Sequence, residues 1–233
     1  MGRKASRARW RWHLAGAVLL AALLAGGWYW WTTRNFRPDE ARWPDQGVEV
    51  AAADGAVDFG AVKALGGSFA YLDATRGGGR GDPAFAANLA AAREAGLLVG
   101  AVHSFDPCVP ADRQTARFSV LVPRDDRLLP PAIELAALGS ECPQPVSDAA
   151  VESELTILIN QLETHAGKPA ILKVAPAFEE TYGLAARFER HLWLTRTRFE
   201  PDYAGRPWML WTANAALPTL AGEQPLRWVV ARR

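Results

Sequence analysis

The residues best suited to chemistry are acids that stand in or at the end of short apolar runs. Glu49 lies in GVEV, Asp73 ends FAYLD, and Glu134 lies in AIEL. Two carboxyl groups can work as an acid and a base when their surroundings separate their pKa values. Each acid also has a structural interpretation. Glu134 could be a solvated strand-end acid, Glu49 could pair with a base, and Asp73 could pair with Arg76.

Two cysteines, Cys108 and Cys142, lie 34 positions apart. Neither has a second cysteine or a histidine at zinc-ligand spacing, so no metal site and no cofactor are expected. In an oxidising compartment a single disulfide is the simplest prediction, and two unrelated reduced cysteines are the alternative. The glycine-rich run at 77–81 has the wrong spacing to cradle a phosphate and is predicted to be a flexible loop.

Short apolar runs alternate with amphipathic stretches along the chain. This alternation predicts a parallel α/β sheet, and about seven strands favour a closed barrel over an open doubly wound sheet. The predicted strands are 48–51, 69–73, 98–103, 132–135, 170–175, 192–195 and 208–211. The predicted helices are 82–95, 112–121 and 147–166.

The charge is unevenly distributed. Residues 1–37 hold seven basic and no acidic residues, whereas the remainder holds 19 basic and 25 acidic ones, a net charge of −6. A body that binds nucleic acid is expected to be basic. The mildly acidic body therefore excludes nucleic acid as the expected partner.

An uncharged apolar run of 18 residues spans 14–31 and closes with Trp28, Tyr29, Trp30 and Trp31. Its length suits a transmembrane anchor, and the aromatic cluster suits a membrane interface. By the positive-inside rule, we expect residues 1–13 to be a cytoplasmic tail, 32–46 a linker, and 47–233 a periplasmic or otherwise extracytoplasmic domain on the inner membrane. The alternative is a signal peptide that is cleaved near the small residues 25–27, which would release a secreted protein.

Several segments, taken in order, resemble the glycoside hydrolase family 25 lysozymes. GVEVAAADG at 47–55, FAYLDATRG at 69–77, VGAVH at 99–103, PPAIEL at 130–135 and WMLW at 208–211 are similar to that family's strands. The resemblance covers about 47–230. It implies a modified (β/α) TIM-like barrel, with a groove at the carboxyl ends of the strands and peptidoglycan glycan strands as the substrate. The implied barrel also makes a bridge between Cys108 and Cys142 geometrically plausible.

The resemblance also implies where the site lies and how far it has diverged. The family's D-x-E acids fall on Glu134 and Ala136, and its first-strand Asp falls on Glu49. The Lys and Glu of K-A-T-E-G fall on Asp73 and Arg76. The candidate catalytic residues are therefore Glu134, Glu49 and Asp73, and the candidate substrate-binding residues are His103, Arg76, Trp193 and Trp211.

Alanine cannot donate a proton, and loss of a general acid costs about 10²–10⁴ in rate. The leading hypothesis is a catalytically impaired family 25 protein that binds cell-wall glycan. The second hypothesis is an active N-acetylmuramidase that uses Glu134 with Asp73 or Glu49. The third is a non-catalytic envelope assembly or interaction protein whose groove is unused. The sequence does not indicate a protein partner.

Overall fold

A closed barrel of eight strands forms the body of the protein. The computed structural model describes residues 3–232, with all side chains except those of 3–9, 11 and 80. The strands are β1 (Gln46–Val50), β2 (Gly67–Arg76), β3 (Arg80–Gly81), β4 (Leu98–Ser104), β5 (Ala132–Leu135), β6 (Ile171–Val174), β7 (His191–Thr195), β8 (Leu210–Leu217) and β9 (Leu226–Ala231). The sheet order is β1-β9-β8-β7-β6-β5-β4-β2-β3, and pairing of β1 with β2 closes it.

The strand directions make the barrel a mixed one. Neighbours from β1 through β2 and β4 to β8 pair in parallel, whereas β9 runs antiparallel between β8 and β1. The seven predicted strands correspond to these seven parallel strands, so the barrel prediction is confirmed. Strand β9 was missed. The run 77–81, predicted to be a flexible loop, instead turns back so that β3 pairs antiparallel with the end of β2.

Within residues 3–232, six α-helices accompany the strands. They are α1 (Arg3–Arg34), α2 (Phe59–Ala64), α3 (Phe85–Glu94), α4 (Ala111–Leu121), α5 (Asp148–Ala166) and α6 (Pro176–Tyr182). Helix α5 shows why the sequence folds this way locally. Ser147 accepts a hydrogen bond from the Ala150 amide at its start, and Gly167 takes a left-handed conformation at its end.

Two apolar layers hold the barrel together. The inner layer fills the barrel and contains Phe69, Tyr71, Val102, Ala132, Ile171, Trp193, Leu210 and Val229. The outer layer lies between the strands and the covering segments, and it takes the alternate side chains, such as Leu72, Ile133 and Leu172. This alternation follows from the two-residue period of a strand. It leaves the inward-facing positions at the carboxyl ends of the strands available for polar side chains.

Helix α1 extends from the body, and within it Trp12–Arg34 is long and apolar enough to cross a membrane. The cytoplasmic tail predicted for 1–13 lies partly outside the described side chains. The segment predicted as a linker, 32–46, is not a free connection. Trp43 and Gln46 are buried, and the Trp43 ring lies 5.4 Å from that of Trp208 and 5.9 Å from that of Trp211. The segment packs against the outer side of β8 and β9 through contacts with Trp211 and Trp228.

Candidate active site

The three candidate catalytic acids come together at the carboxyl ends of the parallel strands. Glu49 on β1, Asp73 on β2 and Glu134 on β5 alternate with the outer-layer residues of their strands and therefore face inward, above the inner apolar layer. A lysine, Lys173 on β6, and an arginine, Arg227 on β9, stand among them. The barrel thus assembles carboxylates that lie far apart in sequence.

Lys173 is the centre of this cluster. Its ammonium nitrogen donates to Glu49 Oε1 at 2.5 Å and to Glu134 Oε1 at 2.8 Å. Its side chain is 9% exposed and that of Glu49 is 1% exposed, so the pair is shielded from water. Burial works against the charge on Lys173, but the two carboxylates outweigh it and raise the lysine's pKa. Lys173 is therefore charged and binds both acids at once.

Glu134 is held in its ionised form. Burial alone would raise its pKa, but the charge of Lys173 and the hydrogen bonds from Lys173 and Ser104 prevail and lower the pKa to about 2. The Ser104 hydroxyl donates to the second carboxylate oxygen at 2.7 Å. A carboxylate in this state can stabilise positive charge or act as a base, but it cannot supply a proton at neutral pH.

Asp73 is in the opposite state. Burial, together with the nearby charge of Glu49, raises its pKa to about 7, although Arg227 and Lys173 act in the other direction. Arg227 Nη1 lies 3.7 Å from Asp73 Oδ2 and 3.3 Å from Glu49 Oε1. The other oxygen, Asp73 Oδ1, is buried and has no hydrogen-bond partner. Protonated and ionised forms of Asp73 therefore coexist near neutral pH.

An open groove runs over this cluster. One part, of about 400 Å³, is lined by Asp73, Thr75 and Asp82, and an adjoining part of about 470 Å³ is lined by Glu134, Asp106 and Glu141. Arg76 and Ser104 line both parts. Ala136 also lines the second part and is exposed there. Charged and hydroxyl side chains thus line the groove together with small or apolar ones, and no tryptophan lies among the lining residues that the structure describes.

Arg76 is the one predicted binding residue that reaches the groove. It ends β2, its side chain is exposed, and no ion pair is recorded for it with the side chains that the structure describes. Among the described side chains, Asp73 contacts Arg227 and not Arg76, the partner that was considered for it from the sequence. Arg76 is therefore placed to meet an anionic or hydroxyl group of a ligand.

Direct contact with a substrate through His103 is contradicted by its burial, because its side chain has no exposed surface. Its Nδ1 lies 2.7 Å from Thr75 Oγ1 and its Nε2 lies 3.0 Å from Gln114 Oε1. Burial lowers its pKa to about 4, so the ring is neutral at neutral pH. Gln114 also donates to the Asp106 and Val109 carbonyls. His103 therefore supports the loop that carries Cys108.

The two candidate tryptophans are likewise not groove residues. Trp193 fills the barrel interior beneath Lys173, whose ammonium lies 5.1 Å from its ring centroid, and its indole N–H donates to Thr212. Trp211 faces the outer layer, where it packs against Trp43 and Trp208. Both are at most 2% exposed, so neither can stack on a sugar in this conformation. Period-2 alternation on their strands places them in the two apolar layers.

The predicted disulfide between Cys108 and Cys142 is present, with Cα atoms 5.4 Å apart. It joins the loop after β4 to the loop after β5, and Cys108 lines the groove beside Glu141. The bridge therefore fixes one wall of the groove.

Lys173 and Arg227 were missed as site residues. Each was visible in the sequence as a single charge inside an apolar strand, in AILKV and LRWVV. A charge at such a position is rarely buried unless it is paired, so it signals an inward-facing partner. Only the barrel shows that the partners are Glu49, Glu134 and Asp73.

A closed barrel with carboxylates and an open groove at the carboxyl ends of its strands is the arrangement of a β/α-barrel glycoside hydrolase. The family model described as Glycosyl hydrolases family 25 matches residues 48–214, and the chain belongs to this family. Among solved structures, a family 25 glycosyl hydrolase from Bacillus anthracis is similar with a TM-score of 0.77 and 25% identity, over 86% of this chain and 93% of that one.

Other relatives agree. The bacterial lysozyme from Streptomyces coelicolor shares the fold, with a TM-score of 0.69 and 21% identity over 81% of this chain and 92% of that one. Lysozyme M1 from Streptomyces globisporus is 34% identical over 96 residues, which are 39% of this chain and 32% of that protein. The uncharacterized protein YegX of Escherichia coli K12 is 29% identical over 145 residues, 61% of this chain. That match spans about half of the YegX chain, 51%.

Proposed function

We propose that this protein is a membrane-anchored member of family 25 that binds the glycan strands of peptidoglycan and has lost most of its capacity to cut them. The observation that carries the proposal is Ala136. It lies in the groove at the position where the family pattern implies the proton donor, two residues after Glu134. A methyl group there cannot protonate a leaving oxygen.

The ion pairs of the site support impairment as well. Glu49 and Glu134 share the ammonium of Lys173, which neutralises charge that would otherwise stabilise an oxocarbenium-like transition state. Binding does not need this charge. An open groove with hydroxyl, carboxylate and guanidinium groups, including Arg76, can still hydrogen-bond a polar glycan.

The proposed topology follows from the N-terminal charge. Helix α1 crosses the inner membrane with the basic residues 1–13 in the cytoplasm, and the barrel lies on the extracytoplasmic side. We favour a retained anchor over a cleaved signal peptide because an aromatic cluster, Trp28 to Trp31, directly follows the apolar run, as is typical of a membrane interface. Alkaline carbonate extraction and the mass of the purified chain test this. Cleavage near residues 25–27 would overturn it.

The function is tested with the full chain in detergent, since residues 36–46 are part of the packed body. Two quantities are measured on purified peptidoglycan: co-sedimentation and release of reducing muramic-acid ends. We expect the chain to pellet with the polymer, and Arg76→Ala to weaken pelleting relative to Arg124→Ala, a change outside the groove. The wild-type chain should release no more reducing muramic-acid ends than the Glu134→Gln variant does. Release that Glu134→Gln abolishes would refute impairment, and failure to pellet would refute glycan binding.

One observation favours a second candidate, an active N-acetylmuramidase. The pKa values of Glu134 and Asp73 are driven apart to about 2 and about 7, which is the pattern of a base or nucleophile beside an acid. In that case Asp73 would replace the missing proton donor. Release in the same assay would then fall in Asp73→Asn as well as in Glu134→Gln, and the rate would decline above about pH 7. Release unaffected by Asp73→Asn would exclude this pair.

A further inference from the structure

The loop that follows β7 contacts the end of helix α1. Arg198 donates to the hydroxyls of Thr32 at 2.9 Å and Thr33 at 3.3 Å, and its guanidinium lies 5.4 Å from the ring centroid of Tyr29. Arg198 is also the only non-glycine residue with a positive φ, 74°, among residues 3–232. The loop therefore adopts a costly backbone conformation at the point where it meets the anchor.

A second contact comes from β8. The buried amide of Asn214 donates to the carbonyls of Arg34 and Phe36, both at 2.9 Å. The Phe36 ring then packs 6.4 Å from that of Trp211. The helix end is therefore held by the loop after β7 and by strand β8, and these two contacts make the connection between helix and barrel rigid.

Exposed apolar side chains lie on the loops that flank this junction. Phe199 is 51% exposed, and Leu220 is 95% exposed. Leu220 borders a cavity of about 450 Å³ that reaches Asn35, directly after the helix. We call Arg34, Arg198, Phe199 and Leu220 the juxtamembrane surface. Single exposed apolar side chains are common on protein surfaces. These two lie on loops beside the end of a membrane helix, where the interfacial layer offers an apolar environment.

The charge of this surface is positive. Arg34 stacks 5.2 Å from the ring centroid of Trp30, and neither Arg34 nor Arg198 has an ion pair among those recorded for the described side chains. The nearby acids are engaged elsewhere: Glu200 binds Arg42 and Arg232, and Asp202 binds Arg196. Arginine guanidinium groups that lack a carboxylate partner and lie beside aromatic rings suit phosphate groups at a membrane interface.

The length of the membrane-spanning helix determines where the juxtamembrane surface lies along the membrane normal. A span of 23 residues, Trp12–Arg34, is about 34 Å long at 1.5 Å per residue, slightly more than a hydrocarbon core of about 30 Å. Tyr29, Thr32 and Arg34 then lie at the level of the headgroups. Because Arg198 contacts two of these residues, it must lie at that level too.

We propose that the barrel lies directly on the outer face of the bilayer through the juxtamembrane surface. Arg34 and Arg198 bind the phosphates of anionic phospholipids, and Phe199 and Leu220 enter the interfacial layer. This inference rests on the retained anchor of the proposed function. It adds that the barrel is held in one orientation at the lipid surface, so the groove has a fixed height and direction above the membrane.

The test uses the full chain in liposomes of phosphatidylcholine and phosphatidylglycerol that contain a nitroxide-labelled lipid. An environment-sensitive fluorophore is attached at Phe199→Cys, at Leu220→Cys or, as a control, at Val120→Cys. Val120 is 77% exposed on α4, which follows β4, four strands away from β8 around the barrel. The native cysteines are joined in the disulfide and do not react.

We expect a blue shift and at least twofold quenching at positions 199 and 220, and neither at 120. Arg198→Gln should reduce the quenching at 199, as should omission of phosphatidylglycerol. Quenching at 199 and 220 no greater than at 120, in protein that resists carbonate extraction, would overturn this inference and leave the anchor intact. Protein extracted by carbonate would instead refute the anchor itself.

Discussion

Lys173 Nζ lies 2.8 Å from Glu134 Oε1, and this contact helps to set the charge state of Glu134, the candidate acid on β5. The ammonium keeps Glu134 ionised, with a pKa of about 2, and it binds Glu49 at the same time. The site is thus organised around a cation that satisfies its carboxylates within the protein.

Replacing Lys173 with methionine should destabilise the fold. The change leaves the buried Glu49 beside Glu134 without its cation, and breaking a buried pair in this way costs about 3–5 kcal/mol. Urea unfolding in detergent, followed by tryptophan fluorescence, measures the free energy of unfolding. Lys63→Met, a change at an exposed lysine, serves as the control and should stay within about 0.5 kcal/mol of the wild type. Equal stabilities of the two variants would contradict the role of Lys173.

Restoring an acid at position 136 should create activity. Ala136→Glu places a carboxyl group in the groove where the family pattern implies the proton donor, and a general acid contributes about 10²–10⁴ in rate. Release of reducing ends from peptidoglycan should rise by at least tenfold, less than the full factor because Lys173 still binds Glu134. Ala137→Glu also adds a carboxyl group to the groove and is the matched control. A similar rise in both variants would show that position matters less than charge.

Asp73 should make the stability of the fold fall as the pH rises. Its folded-state pKa of about 7 lies above the ordinary 3.8, so the folded protein retains the proton longer. The stabilisation is complete below about pH 4 and is lost as the pH rises through 7. Asp73→Asn removes this dependence. Its free energy of unfolding, relative to wild type, should therefore increase by about 2 kcal/mol between pH 5 and pH 8. Parallel pH profiles for the two proteins would argue against a raised pKa.

Truncating Trp43 should unfold the body more easily, although the residue lies in the segment that sequence alone predicts to be a linker. Its ring is buried between those of Trp208 and Trp211, and removing a buried Trp side chain costs about 3–5 kcal/mol. The free energy of unfolding of Trp43→Ala is compared with that of Val120→Ala, at an exposed apolar position. A loss below about 1 kcal/mol in both would indicate that the segment is a true linker.

Removing the disulfide should loosen the groove wall and destabilise the fold. A bridge that closes 34 residues contributes about 3–4 kcal/mol by restricting the unfolded chain. The Cys108→Ser/Cys142→Ser protein should unfold at a correspondingly lower urea concentration. It should also bind peptidoglycan more weakly, because Cys108 and Glu141 line the groove. If the folded double variant binds peptidoglycan as well as the wild type does, the disulfide does not contribute to binding through the groove.

Much of the barrel is predictable from local patterns because each parallel strand is a short apolar run covered on both faces. Each of the seven predicted runs coincides with or overlaps a strand. For the run 132–135, the predicted bounds are the same as those of β5. Strand β9 carries Arg227 within its apolar residues and was not recognised. The charge of Arg227 is compensated by Glu49 on the neighbouring strand β1, by Asp54 and by Asp73 on β2, all of them far from it in sequence. Long-range pairing of this kind leaves no periodic signal.

The three candidate acids lie close together in the structure, whereas most of the candidate binding residues do not reach the groove. Trp193 and Trp211 lie on the strands where they were expected, yet the direction in which each faces places one inside the barrel and the other in the outer layer. A strand prediction without a known register cannot distinguish a groove from a core. The same limit applies to His103, which is buried by Thr75 and Gln114.

By itself the sequence determined the apolar helix, the alternation that builds a barrel, the cysteine pair and the alanine at position 136, because each of these depends on local composition and spacing. Only the tertiary structure decided that Lys173 joins Glu49 to Glu134, that Asp73 and Glu134 have widely separated pKa values, and that the helix end is clasped by Arg198 and Asn214. These features arise from burial and from contacts between residues that lie 39 to 180 positions apart in sequence. Electrostatic energies depend on distances in space and on exclusion of water, not on sequence order.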